Sequence, residues 1–420
     1  MRFPLALTAK IAGHILRHKL RRVEKFAVVL QLEPLHTCNL SCTGCGRIRE
    51  YSTSLNEIMS LEDCLRSAAE CDAPMVSICG GEPTIYPMLE ELVAGLLRQR
   101  RIVYICTNSA RMRQKLRDWL ARTYNGAPSE SVLAKLLRQN LITDREADEI
   151  RKGKHDGRPS IAPSQWLYWN VHVDGLERTH DLIVEREGVF RECIAAIQLA
   201  KALGYQVATN TTVYKETDMR EIEQLFDFLS SLGVDGFTLS PGYDYDAAKQ
   251  DMIKKGKGKP EDFFLTRKLT REKFANVVQW GRKYPLLGTP AYLEFLAGQR
   301  DLHCTAWAIP TRNVRGWKAP CYLITDGHYA TYREMLEKTD WSRYGVFNGQ
   351  VRDPRCENCM THCGYEPTAS LGIDTRRGDL WKLIQYNFGP RPRPVSDASQ
   401  VNAFNGVSSG HGHLTGPQPR

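Results

Sequence analysis

The sequence predicts an α/β fold: a partial (β/α)6 barrel with a cysteine-rich C-terminal extension. Three observations carry it. Six short apolar runs alternate with amphipathic stretches between residues 27 and 239. Polar or glycine-bearing residues follow the ends of those runs, where an α/β barrel keeps its chemistry. Beyond about residue 290 the alternation stops and cysteines gather.

The runs at 27–33, 74–79, 102–106, 167–173, 205–211 and 234–239 read as buried strands. Helices are expected near 60–71, 87–100, 111–122, 189–203 and 218–231. Repeated βα units imply parallel pairing with right-handed crossovers. Ahead of them, residues 5–25 form an amphipathic basic segment in which Leu7, Ile11 and Ile15 recur at spacing four. It reads either as a helix lying on an anionic membrane surface or as one packed on the domain. Residues 123–165 interrupt the rhythm as a polar excursion, a lid or a plain insertion, with one short helix suggested by Leu133, Leu136, Leu137 and Leu141. Residues 249–260 read as a basic, glycine-rich loop, either touching phosphates or simply solvated. From Pro390 the tail is rich in Pro, Gly, Ser and Asn and is expected to be disordered. The expected division is therefore 1–25, a basic N-terminal helix; 26–245, the barrel with its insertion; 246–389, a cysteine-rich domain; and 390–420, the tail.

The 420 residues include 25% charged and 42% hydrophobic side chains, which suits a globular protein. Thirteen cysteines in clusters, without a secretory signal, point to the cytoplasm and to metal chemistry. No apolar run reaches the ~18 residues a bilayer span needs. The net charge of +9 is concentrated at the N-terminus, where Arg2, Lys10, Arg17, Lys19, Arg21, Arg22 and Lys25 face Glu24 alone. The nearly neutral body argues against a nucleic-acid partner.

Cys38, Cys42 and Cys45 are spaced C-x3-C-x2-C on the loop that leaves the first strand. Three thiolates on one tight loop can ligate three corners of a [4Fe–4S] cluster and leave the fourth iron open. An open iron can chelate the amino and carboxylate groups of S-adenosylmethionine. The competing readings are a closed zinc site with His36 as fourth ligand, and structural thiols. The second strand ends in Gly80-Gly81-Glu82, where two glycines permit close approach and a carboxylate can accept from an ammonium. Later strand ends carry Thr107 and Asn108, His172 and Asp174, Asn210 with Thr211 and Thr212, and Ser240. Cys106 ends the third strand, either as core or as a thiol facing the reaction chamber. Cys304, Gly316 and Cys321, then Cys356, Cys359 and Cys363, form a second thiol group able to hold an auxiliary iron–sulfur cluster or zinc. Cys64, Cys71, Cys79 and Cys193 read as core.

The three-cysteine loop followed by Gly-Gly-Glu resembles the radical S-adenosylmethionine superfamily, so the barrel is expected to be of that type. The resemblance implies that Gly80, Gly81, Glu82, Asn108, Asp174 and Asn210 bind S-adenosylmethionine, with Asp174 and Asn210 the chosen candidates among the later strand ends. Cys304–Gly316–Cys321 resembles the auxiliary-cluster ("SPASM" or "twitch") pattern, although the spacing after Cys359 is shortened.

Longer stretches resemble the adenosyl-hopene transferases of hopanoid synthesis. They are Leu32–Leu35, Ala73–Pro83, Tyr104–Asn108, Val171–Leu176, Glu187–Phe190, Leu232–Gly236, Leu239–Tyr243, Pro310–Trp317 and Cys359–Gly364. This implies that a 5′-deoxyadenosyl radical adds to the terminal alkene of hopene (diploptene), with Cys106 quenching the resulting carbon radical. It further implies an electron donor such as flavodoxin or ferredoxin and a peripheral position on the inner face of the membrane. An apolar pentacycle calls for an apolar chamber, for which 292–296 and 307–309 are the candidate walls. The alternatives are another radical enzyme that modifies a peptide or dehydrogenates a small molecule, and a non-enzymatic metal-stabilised binding protein.

Overall fold

The computed structural model describes residues 4–389; the expectation for the tail lies outside them. Six parallel strands form in the expected places: β1 (Val29–Glu33), β2 (Met75–Ile78), β3 (Ile102–Thr107), β4 (Leu167–His172), β5 (Gln206–Val213) and β6 (Gly236–Pro241). They pair in sequence order through helical crossovers. The helices Leu61–Cys71 and Met219–Ser231 begin where Ser60 and Asp218 accept first-turn amides.

The C-terminal region adds to the same sheet. β7 (Thr311–Asn313) pairs parallel with β1, and β8 (Gly316–Pro320) and β9 (Thr325–Tyr329) continue antiparallel. The sheet therefore has nine strands in the order β6-β5-β4-β3-β2-β1-β7-β8-β9.

Strand alternation separates two environments. Outward side chains such as Val76, Ile78, Val103, Ile105, Val171, Val207 and Phe237 are wholly buried under helices. Toward the C-terminal ends of the strands the inward ones are polar and only half-buried: Ser77, Cys106, Asn170, His172, Asn210, Thr212 and Thr238. The inward face is thus polar near the strand ends, where an apolar chamber was expected, and closed below by buried Tyr104, Tyr168 and Ala208. The candidate walls lie elsewhere. Tyr292, Leu293, Phe295 and Leu296 are core, and Ala308 meets Val28 ahead of β1.

The N-terminal helix (Leu5–Leu20) packs on the domain. Leu7 and Ile11 lie against Ile102, Tyr104 and Tyr168 at the start of the strands. The excursion holds two helices, Ala127–Arg138 and Asp144–Arg151, where one was expected. The second begins with a capping box, Thr143 and Glu146. Arg113 binds Glu146 at 2.6 Å and Lys154 binds Asp118 at 2.6 Å. These contacts dock the excursion on the outer helix Met112–Arg122, so it is no lid over the strand ends. Most of the expected basic loop is helical instead (Asp246–Lys255), closed by Gly256 in the left-handed region. Its Lys255 donates to the Ser41 carbonyl at 2.8 Å and pairs with Asp251, bracing the first thiol loop.

Two buried histidines make the fold acid-sensitive. His14 holds the Ala27 carbonyl at 2.9 Å, and burial pulls it down to about 4. His180 accepts the Asp174 amide at 3.1 Å, and burial with His172 nearby pulls it down to about 4. The unfolded chain takes up these protons first as pH falls below the ordinary ~6.5. Their contribution is therefore intact above that pH and is lost toward pH 4. Urea unfolding of apoprotein should show stability falling across this window, on the order of a few kcal/mol per group. His14→Gln should flatten the slope; a slope unchanged in His14→Gln would contradict the assignment.

Candidate radical and auxiliary cluster sites

β1 delivers the first thiol loop to the barrel mouth, and neighbouring strands lock it there. The Gly81 amide donates to Leu35 O at 3.1 Å, and the Glu82 amide to Thr37 O at 2.9 Å. A Cβ on Gly81 would sit 1.9 Å from Thr37 O, and Gly80 has φ +105°. The two glycines therefore allow close approach between this turn and the thiol-bearing segment.

Glu82 is buried. Its carboxylate accepts from Thr84 (amide 3.0 Å, hydroxyl 2.6 Å), Thr107 (2.7 Å) and the Asn108 amide (2.8 Å). Asn108 extends its side-chain amide to Asn39 (2.9 Å) and to Cys38 Sγ (3.7 Å). The Leu40 amide also points at Cys38 Sγ, at 3.5 Å. Such donors suit a metal-bound thiolate. Without a metal, burial pushes the Cys38 thiol up to about 12, with Glu82 and Cys45 adding to it. Cys42 is raised by burial and by Cys45 and Cys38. The donor set fits a cluster held by three thiols. His36 does not complete a zinc site: it is buried, bonded to Ser54 (3.1 Å) and stacked on Tyr51 at 3.6 Å. Among the described residues no group of three His, Cys, Asp or Glu is arranged to hold a single metal ion.

Inside the barrel, Cys106 is flanked by Ser77 Oγ at 3.1 Å and Asn170 Nδ2 at 3.4 Å. Burial raises its pKa, so the sulfur keeps its proton at neutral pH. Asp174 is fully buried, pairing with His172 at 2.7 Å and accepting the Thr212 amide at 2.7 Å. Half-buried His172 is the member of the pair that faces the interior. Burial opposes its charge, but the Asp174 carboxylate outweighs this and raises it. Asn210 accepts from Ser240 (3.4 Å), whose hydroxyl also meets His362 Nδ1 at 3.0 Å.

All five C-terminal cysteines, Cys304, Cys321, Cys356, Cys359 and Cys363, line one cavity of about 310 Å³. Thr361 Oγ1 lies 3.3 Å from Cys359 Sγ and 3.2 Å from Cys363 Sγ. A Cβ on Gly364 would fall 2.7 Å from Cys304 Sγ. Burial pushes Cys356 up to about 12 and Cys359 up to about 11. A roomy pocket with spare thiols fits a polynuclear cluster better than a single ion.

Between the two thiol groups lies a buried charge network that sequence reasoning missed. Arg47 pairs with Glu50 (2.7 Å) and Glu33 (3.5 Å), donates to Tyr322 O (2.8 Å) and stacks on the Tyr322 ring at 3.6 Å. Lys318 binds Glu50 and Tyr322 O, each at 2.6 Å. Ser77, Asn170 and His362 were missed as well. The first two were within reach, since Asn170 is two residues before His172 and so shares its face.

Residues 32–125 match the family model described as the Radical SAM superfamily, and 237–383 match one described only as a domain of unknown function, DUF3463. No curated protein matches the chain. Among solved structures, Streptococcus suis SuiB bound to precursor peptide SuiA is similar, with TM-score 0.45 and 15% identity over 72% of this chain and 61% of its own. SuiB bound to S-adenosylmethionine gives 0.46 and 15%, over 72% and 62%. Native anSMEcpe with bound AdoMet gives 0.46 and 15%, over 90% and 99%. The chain thus spans about three fifths of SuiB's length.

Arg47→Met should destabilise the apoprotein by about 3–5 kcal/mol, because Glu33 is left buried without its cation while Glu50 keeps only Lys318. Urea titration measures this; a loss under about 1 kcal/mol would mean the network is solvated.

Proposed function

We propose, for a chain that carries a radical S-adenosylmethionine superfamily core, transfer of the adenosyl group to the terminal alkene of hopene (diploptene), giving adenosylhopane. The cofactors are a [4Fe–4S] cluster and S-adenosylmethionine. When bound, they supply a 5′-deoxyadenosyl radical. Cys38, Cys42 and Cys45 would hold the cluster, and the Gly80–Glu82 turn, Asn108, Asn210 and the His172–Asp174 pair would surround the adenosylmethionine. The five-thiol cavity would hold the auxiliary cluster.

The observation that carries the reading is Cys106. It is a protonated thiol inside the barrel, steadied by Ser77 and Asn170. A thiol, unlike a thiolate, has a hydrogen atom to give to a carbon radical; the thiyl radical left would be returned to the thiol by one proton and one electron from the external donor. The long stretches resembling adenosyl-hopene transferases support the substrate. An external one-electron donor of the flavodoxin or ferredoxin kind would serve the cluster. Residues 26–245 would form the radical barrel, and 246–389 the auxiliary region.

A second reading, peptide modification, has its own support. The inward side chains Asn170, His172, Asn210, Thr212 and Ser240 can hydrogen-bond a peptide backbone, which a hydrocarbon cannot use. SuiB and anSMEcpe have both been solved with peptides. At such low identity, that substrate class belongs to those proteins.

Reduced protein incubated with S-adenosylmethionine and diploptene should yield an adenosyl adduct by mass spectrometry. Cys106→Ala should still cleave the cofactor but complete the adduct at least roughly tenfold more slowly, by analogy with the loss of a positioned proton donor. Free 5′-deoxyadenosine without adduct from the unaltered protein would favour the peptide reading. An unchanged yield in Cys106→Ala would remove that residue's role.

A further inference from the structure

The last described helix, Asp379–Phe388, is turned inside out. Three of its polar residues point inward: Asp379 pairs with Arg300 at 2.7 Å and Lys382 with Glu294 at 2.5 Å, while Tyr386 donates to Leu286 O at 2.9 Å; Gln385 is exposed. Its large apolar residues face solvent. Leu380, Trp381, Ile384 and Phe388 are 52%, 63%, 40% and 51% exposed. At helical spacing these four share roughly 100° of arc. The buried Asp379–Arg300 pair, with the partly exposed Lys382–Glu294 pair, fixes the helix in this orientation, so the apolar stripe is held outward.

The surroundings are basic. Arg376 and Arg377 are exposed one turn before the helix. Lys19 donates to the Leu371 carbonyl, which brings the end of the first helix to the segment leading into this one. That end carries exposed Arg17, Arg21 and Arg22 beside exposed Leu16 and Leu20. Glu24 and Asp374 are the exposed acids among the described residues here.

We infer that the Leu380–Phe388 face seats on an anionic bilayer surface, with the first helix's basic end beside it. The stripe is an interfacial anchor: apolar side chains enter the acyl boundary, the Trp sits at headgroup level and the arginines meet lipid phosphates. Four side chains are too few for the ~1,000 Å² that a stable protein interface buries. The inference stands whether the substrate is a lipid or a peptide.

The test mixes the full chain with vesicles of phosphatidylcholine containing phosphatidylglycerol, and with phosphatidylcholine alone, and measures the sedimenting fraction. Binding should favour the anionic vesicles and weaken with salt. Trp381→Ser with Ile384→Ser should lower it roughly tenfold or more, with melting temperature and iron content unchanged. Arg376→Gln with Arg377→Gln should lower it on anionic vesicles alone. In the unaltered protein, amide exchange across 379–388 should slow when anionic vesicles are added. No binding to either vesicle, or binding that the apolar double variant leaves intact, would overturn the inference. So would exchange already slow without vesicles and unmoved by them, which would assign the face to residues 390–420. A dimer in solution that the double variant splits, without vesicle binding, would assign it to a second copy.

Discussion

The backbone contact between the Gly80–Gly81 turn and the segment Leu35–Thr37 is the constraint on which the radical site depends. It leaves no room for a side chain at 81. The circuit closes through Glu82, which ties this turn to Thr107 and Asn108, and through Asn108, which returns to Cys38. Three strand ends therefore fix where the first thiol stands. A short loop bearing three thiols could adopt many shapes; its neighbours reduce them to one. The polar turn does structural work first, and its acid is mostly committed to protein donors.

Charge is arranged around the same axis. Arg47 follows Cys45 by two residues, yet its guanidinium lies on Tyr322, the neighbour of Cys321. The Arg47–Lys318–Glu33–Glu50 network thus joins the first thiol loop to the strand that feeds the second thiol group. Its formal charges balance, as burial requires. The inward side chains near the strand ends between them are polar, so chemistry there is governed by which of them keep their protons. Cys106 keeps its own because burial disfavours the thiolate, and the Asp174 carboxylate favours the charged form of His172.

Much of this was legible in the sequence. All six parallel strands were found because their apolar runs are short and bounded, and the motifs sat at their ends as barrel logic demands. The five C-terminal cysteines that spacing groups together line one cavity. What failed depended on partners distant in sequence. β7 joins β1 across 280 residues, and no local pattern announces that pairing. His36 stands beside the thiol loop in sequence but turns into the Tyr51 stack. Asp174 is brought together with His172, and of the two the histidine is the more accessible. The basic segment 249–260 reads as a loop because of its glycines, but Gly256 only ends the helix Asp246–Lys255. The excursion's second helix was announced by Thr143 and Glu146 and went unread.

The central claim is that three converging thiols hold a cluster with one iron open to S-adenosylmethionine. Its most direct test is electron paramagnetic resonance of dithionite-reduced protein in which Cys304, Cys321, Cys356, Cys359 and Cys363 are replaced by serine, with and without S-adenosylmethionine. The account predicts about four irons per chain and a reduced-cluster signal whose g-values shift when the sulfonium compound is added. A full complement of iron with a signal indifferent to S-adenosylmethionine would mean the cluster has no open corner, and would contradict it.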